Sequence, residues 1–300
     1  MLSRIDRRFI EAASAVHDAP KSGDVAFMAR ELVQCTLPHR DPGDVPHWTR
    51  RNGDFVLTLT RTQLNESTNQ LVGFPYGSLP RLLLFWLTTE AVRTGSRKLS
   101  LGSSYADFLS SLGLANNGGQ RGDRTRMREQ MNRLFGSNLS FVQIGQREQL
   151  SGERRGNMPV AHSSELWWTT KRPDQLALFD SWVELGEAFF NGITSAPVPL
   201  DVRALRALKR SPLALDLYAW ATHRAFGASQ QGKPQRILWH QLSNQFGAEY
   251  STIADFKKAA MGALVRVQSV YPALRLEQVT GGLLIRPNSR TAVPSTTRRR

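Results

Sequence analysis

The chain has 300 residues, with 39 Lys and Arg against 25 Asp and Glu, a formal net charge of +14, and a single cysteine. A surplus of this size favours a polyanionic partner, because each cation laid on phosphate releases condensed counterions. Cys35 alone excludes an intramolecular disulfide and a multi-cysteine zinc site; no run of 18 apolar residues offers a spanning helix, and no apolar segment follows the charged start MLSRIDRRF.

These features predict a cytoplasmic protein without a signal peptide, with an anionic membrane surface as the competing partner for the charge. Residues 1–47 mix short apolar groups with Pro20, Pro38, Pro42 and Pro46, and read as a flexible arm. From Trp48 the pattern changes. Asn52-Gly53 signals a turn, and Phe55 to Arg61 (FVLTLTR) alternates as a half-buried strand does. Ser78 to Thr94 reads as one broadly apolar, buried helix with Pro80 in its first turn. Leu99 to Leu101 is a short strand, and Tyr105 to Leu112 a short helix that Gly113 can stop. Asn117-Gly118-Gly119 makes a turn, and a helix then runs from Arg121 or Gly122 to Phe135. Leu139 to Ile144 and Glu165 to Thr169 are candidate wing strands, joined by a polar loop rich in Gly and Arg. Ser181 to Phe190 starts as a strand and turns helical.

The pattern then returns. Helices lead through Leu205, Leu208, Leu213, Leu217 and Trp220 to Phe226. Ile237 to Phe246 reads as a short helix and Ser251 to Val270 as a long one. A hairpin turns at Thr280-Gly281-Gly282. Helix, short helix, longer helix and wing thus occur twice, as a degenerate repeat. The predicted fold is α+β, mostly α, with two tandem winged helix-turn-helix domains, residues 48–196 and 197–288. A disordered basic tail follows over residues 289–300. In such a module a short helix enters the DNA major groove.

Three long stretches, Gly73 to Thr94 (GFPYGSLPRLLLFWLTTEAVRT), Ser104 to Gly119 and Arg126 to Phe135, resemble the plasmid replication initiators of the RepA type. Leu166 to Thr169, Val183 to Phe190 and Pro197 to Trp220 resemble that family too. The resemblance spans roughly residues 48–287. It implies tandem winged helices that bind repeated sites, or iterons, in double-stranded plasmid origin DNA. It also implies recruitment of a host initiator and the replicative helicase.

The residues themselves indicate how DNA would be met. In the first long helix, Met127, Met131 and Leu134 recur at i, i+4, i+7 and face a core. At 100° per residue, Arg121, Thr125, Arg128 and Asn132 fall opposite, with Arg124 on one shoulder and Arg126 and Arg133 on the other. Arg can pair bidentately with guanine and Asn with adenine, while flanking Arg reaches phosphate. The bland alternative is a solvated helix face. Arg147, Arg154 and Arg155 fall in the loop between the wing strands, where Arg suits the backbone or the minor groove; a mobile surface loop is the competing reading. In the second long helix, Ile253, Phe256, Ala260, Leu264, Val267 and Tyr271 form the core stripe. Ser251, Asp255, Lys258, Gly262, Arg266 and Ser269 lie opposite, with Lys257 on a flank. A plain packing helix is the alternative there.

No enzyme is expected. Gly227 to Pro234 (GASQQGKP) matches the start of a phosphate-binding loop, but Pro234 stands where the magnesium-binding Ser or Thr should be, and no strand precedes it. The six histidines form no H-x-H or H-x3-H pair, so neither a metal site nor a cofactor is predicted. Asp201 reads as a helix N-cap. The second functional reading is a dimeric transcriptional repressor on an inverted repeat, which could include control of its own gene. Self-association as a dimer is therefore part of the expectation.

Overall fold

The computed structural model describes residues 4–14, 16, 24–65, 69–102, 104–117, 119, 122–147, 150–166, 181–247, 249–289 and 292–293. Helices and antiparallel strands are mixed throughout, and the chain divides into two compact units. The central unit comprises residues 37–196. The split unit joins residues 1–36 to residues 197–300.

The split unit opens with α1 (Arg4–Ser14), β1 (Val25–Met28) and α2 (Arg30–Gln34). In the central unit, β2 (Trp48–Asn52) and β3 (Phe55–Arg61) turn through Gly53 at φ +59°, which explains the Asn-Gly pair. A small ribbon, β4 (Leu64–Asn65) with β5 (Gln70–Leu71), precedes α3 (Ser78–Thr94). Then come β6 (Lys98–Ser100), α4 (Tyr105–Ser111), α5 (Asp123–Phe135), β7 (Ser137–Arg147), β8 (Leu150–Pro159), β9 (Ala161–Glu165), β10 (Trp182–Leu185) and α6 (Glu187–Ser195). The central helix α3 is buried over most of its circumference, from Leu79 to Phe85 and again at Leu87, Thr88 and Ala91, as its broadly apolar sequence predicts.

Two sheets organise the central unit. One is four-stranded in the order β2-β3-β7-β8; its inner face carries Leu57, Leu59, Leu139 and Phe141, with Phe55 stacked on Phe141 at 5.2 Å. The other is three-stranded in the order β6-β10-β9. The expected wing is corrected by this pairing. β7 joins β3 rather than a strand at residues 165–169, and most of the expected loop is β8, in register with β7 from Asn138↔Pro159 to Arg147↔Leu150. β8 is an edge strand. Its sequence LSGERRGNMP has no apolar alternation because glycines and charges suit an exposed edge, so it reads as loop. Residues 167–169 of the second expected wing strand lie outside the described residues.

The split unit resumes with β11 (Val198–Asp201), which pairs with β1 from Val25↔Asp201 to Met28↔Val198. It continues through α7 (Val202–Leu208), α8 (Pro212–Gln231), β12 (Gln235–Leu238), α9 (Trp239–Phe246), α10 (Ile253–Val270), β13 (Leu276–Val279) and β14 (Gly282–Ile285). Asp201 caps α7 by accepting from the Arg203 N–H at 2.8 Å. Ile237 and Leu238, expected in a helix, are strand instead. β-branched Ile237 pairs with Leu283, and the helix starts one residue after Leu238, whose N–H donates to the Gln241 side chain at 3.0 Å. The segment that imitates a phosphate-binding loop is the last turn of α8, ended by Gly232 in the left-handed region at φ +63°.

The expected arm at residues 1–47 is also corrected. α1 packs on α7 and α10, β1 pairs with a strand some 170 residues later, and Gln245 donates to the Val33 and Gln34 carbonyls at 3.2 and 2.9 Å. Residues 37–44 belong to the central unit, where Arg61 pairs with Asp44 at 2.9 Å. Pro38 is tied by non-local bonds, its carbonyl accepting from the Gly77 N–H at 3.1 Å and from Arg81 at 3.0 Å, and Pro20 lies outside the described residues. Part of the tail is tied as well: the Ser289 hydroxyl accepts from the Arg275 N–H at 3.0 Å, and Val293 is buried. Residues 294–300 lie outside the described residues.

The two units share one order of elements. The central unit runs α3, β6, α4, α5, then β9 and β10 after the β7–β8 hairpin; the split unit runs α8, β12, α9, α10, β13, β14. Each three-stranded sheet has the first strand beside the third, β6-β10-β9 in one and β12-β14-β13 in the other.

Candidate nucleic-acid interface

The α4–α5 pair is held by a dense local network. Ser104 caps α4, its hydroxyl accepting from the Asp107 N–H at 3.1 Å. In the turn that follows, Asn117 accepts from the Asp123 N–H at 3.0 Å, and Asp123 accepts from the Ala115 N–H at 3.2 Å. The Tyr105 hydroxyl donates to the Arg124 carbonyl at 2.7 Å, tying α4 to α5, and its burial pushes the phenol pKa up, so it stays a neutral donor. Trp86 of α3 meets Phe108 of α4 edge to face at 5.2 Å.

Met127, Met131 and Leu134 are fully buried, and Gln130 joins them, accepting from the Tyr76 N–H at 2.9 Å. The predicted contact residues separate into groups. Arg126 and Asn132 are exposed; Thr125 and Arg128 are half-buried. Arg126 has Asp123 at 4.0 Å. Arg124 is half-buried and donates through Nε to Asn116 at 3.0 Å. Arg133 turns inward: it reaches Asp41 at 3.1 Å, the Phe74 carbonyl at 3.0 Å and Glu129 at 2.5 Å, over the Tyr76 ring at 5.1 Å. A Cβ on Gly73 would lie 2.7 Å from its guanidinium, so Gly73 is bare to admit it. With its side chain 14% exposed, Arg133 holds the PYG segment to α5 rather than facing solvent. Helical spacing put it on the shoulder; the partners that draw it in are 59 and 92 residues away. Arg121 lies outside the described residues.

Arg154 and Arg155 sit on β8, exposed, opposite Gln143 and Val142, with Arg155 paired to Glu153 at 2.5 Å. Arg147 ends β7. All three belong to the four-stranded sheet and not to the β9–β10 hairpin.

In the split unit, Thr252 caps α10, accepting from the Asp255 N–H at 3.1 Å and donating to the Asp255 carboxylate at 2.7 Å. Phe256, Ala260, Leu264, Val267 and Tyr271 are buried as their spacing predicts, but Ile253 is 52% exposed. The stripe stops short of Ile253, the first residue of α10. Lys258, Gly262, Arg266 and Ser269 are exposed. Lys257 lies over the Trp239 ring at 5.5 Å, and Arg266 lies 5.9 Å from the Phe9 ring of α1. A Cβ at Gly262 would meet nothing within 4 Å. Gly262→Ala is therefore expected to raise the stability of the split unit by about 0.5–1 kcal/mol, read as a higher denaturant midpoint at unchanged slope.

Among the described residues there is no group of three His, Cys, Asp or Glu that could hold a metal ion, and no helix long and apolar enough to cross a membrane. His223 is pulled down in pKa by burial and by nearby Arg30 and Arg224.

No curated protein sequence matches the chain. Among solved structures, a selenomethionine crystal structure of domains 2 and 3 of RctB resembles it with a TM-score of 0.50 at 12% identity, covering 83% of this chain and 93% of that one. A second crystal structure of RctB domains 2–3 gives a TM-score of 0.49 at 13% identity, over 85% of this chain and 94% of that one. At this identity the first likeness concerns the fold. The family described as "Plasmid encoded RepA protein" matches residues 74–241, more than half of the chain, from the Phe74 that receives Arg133 to Gln241 in the first turn of α9. The chain belongs to this RepA family of plasmid replication initiators.

Proposed function

We propose that the protein initiates plasmid replication by binding directly repeated origin DNA, with α5 and α10 each lying in a major groove. The observation that carries this reading is the repeated order of helix, strand, short helix, long helix and two strands, with the same strand order in both three-stranded sheets. That order supports a winged helix-turn-helix reading of each unit, and two such modules on one chain suit an asymmetric, directly repeated site. Arg126, Arg128 and Asn132 on α5, with Lys258 and Arg266 on α10, are the groups offered to base edges and phosphates. Arg124 and Lys257 stand beside them on side chains already braced by Asn116 and Trp239. The wing of the central module is then β9–β10, and Arg154 and Arg155 contribute field rather than wing contacts. Bound copies strain adjacent A·T-rich DNA and present surfaces to a host initiator and the replicative helicase. The protein acts without chemistry or cofactor of its own.

Binding of the purified chain to direct repeats from beside its own gene, against scrambled DNA over a salt series, tests the reading. Sequence-dependent binding that survives physiological salt is the expected result, and equal binding to both DNAs would overturn it. Arg128→Ala is expected to cost about 1–3 kcal/mol of binding and to relax specificity at one base pair. Mobility-shift titration against single-base variants reads both effects, and unchanged affinity and specificity would remove Arg128 from the base-reading set.

A further inference from the structure

The exposed isoleucine at the start of α10 has no explanation in folding. Ile253 is 52% exposed, and Ser251, Thr252, Ala254 and Asp255 around it are exposed as well. A first helical turn facing water ordinarily carries Ser, Thr, Asp, Glu or Pro. A β-branched side chain adds nothing to helix propensity, and Ile253 gains little burial. The polar groups of this turn are already occupied with one another, since Thr252 and Asp255 are bonded in both directions. Beside that exposed pair the turn presents the Ile253 side chain and the Ala254 methyl, and Lys257 and Lys258 follow one turn later.

We infer that Ile253 is a specificity residue that reads the C5-methyl of a thymine in the major groove. The inference rests on the DNA-binding reading of α10 given above. In that groove the thymine methyl is the apolar group a side chain can meet, and it distinguishes T·A from the other base pairs. The N-terminal residues of a recognition helix are those that reach base edges. The two lysines supply the charge that holds phosphate while an uncharged side chain reads the base. Val265, the other exposed aliphatic residue of α10 at 60%, is not a second reader of the same methyl. It lies twelve residues on, roughly 18 Å along the axis and about 120° around it.

The test uses the full chain and its direct-repeat DNA, with each thymine replaced in turn by deoxyuridine, which removes the methyl and nothing else. For the unaltered protein, one thymine in the segment covered by the split unit should lose about fourfold in affinity, the factor that one buried methyl group corresponds to. In Ile253→Ala that position should become insensitive to the exchange, while the overall affinity falls by a similar factor. Ile253→Val should restore much of the sensitivity, and Val265→Ala should leave the whole deoxyuridine pattern as it was. Thermal melts of each variant separate loss of reading from loss of fold. If the protein binds the repeat specifically but the pattern is the same with and without the Ile253 side chain, the thymine contact is overturned and the DNA-binding reading stands. An apolar contact to another protein would then be the remaining use of this turn. If no sequence-specific binding occurs at all, both fall together.

Discussion

Arg81→Met is expected to lower the stability of the central unit by about 2–4 kcal/mol, measured as a shift of its transition in urea. Arg81 is 1% exposed on α3 and donates to the carbonyls of Leu37 at 2.6 Å, Pro38 at 3.0 Å and Gly77 at 2.7 Å. Met keeps the length and the apolar stem but removes every donor. Buried carbonyls that have lost a charged partner carry the full cost of their desolvation. The Gly77 N–H also donates to Pro38 at 3.1 Å, so the guanidinium and the backbone together fasten the chain entering the unit to the start of α3. The GSLPRLLL stretch, with a single arginine in it, opens a broadly apolar helix. The structure makes that arginine the staple of the helix N-terminus. A variant with unchanged midpoint would show that water replaces the guanidinium without loss.

The second large effect is expected from Leu134→Ala. Leu134 is fully buried on α5 beside Met127 and Met131. Truncation removes the transfer energy of its side chain and leaves a cavity, together about 2–5 kcal/mol. Because α5 carries both the core stripe and the candidate DNA face, this variant should lose DNA binding along with cooperative unfolding. Arg128→Ala should lose binding with its unfolding transition intact. The pair thus separates the two faces of one helix by two observables. A Leu134→Ala protein that unfolds like the parent would mean the stripe is not the core of this unit.

Local order was legible wherever neighbouring residues decide it. The limits of β3 and α3, the cap at Asp201, and the burial of Met127, Met131 and Leu134 follow from alternation, helical period and turn chemistry. The outward placement of Arg126, Asn132 and Lys258 follows from the same period. Errors collected where pairing is non-local or where an edge hides its pattern. β8 carries charges and glycines because water covers it. β1 is a strand only because β11 exists far along the chain. Glycine shows the same division. Gly53 and Gly232 are visible as turn residues from their neighbours. Gly282 is needed because a Cβ there would lie 2.1 Å from the Ile237 carbonyl across the sheet, and Gly186 because one would lie 2.2 Å from the Pro159 carbonyl.

By itself, then, the sequence determined that the chain is basic, that a short helix followed by a longer one occurs twice, and which side of each long helix is apolar. It also carried the resemblance to RepA initiators that the family match over residues 74–241 establishes. Periodicity and composition are local quantities, and these conclusions need nothing more. Only the tertiary structure decided that residues 1–36 complete the C-terminal unit, that Arg133 and Arg81 are internal fasteners, and that Ile253 faces out. Each of these depends on a partner dozens of residues away, or on the absence of one. A helical wheel assigns a direction to a side chain, but it cannot say what stands there to receive it.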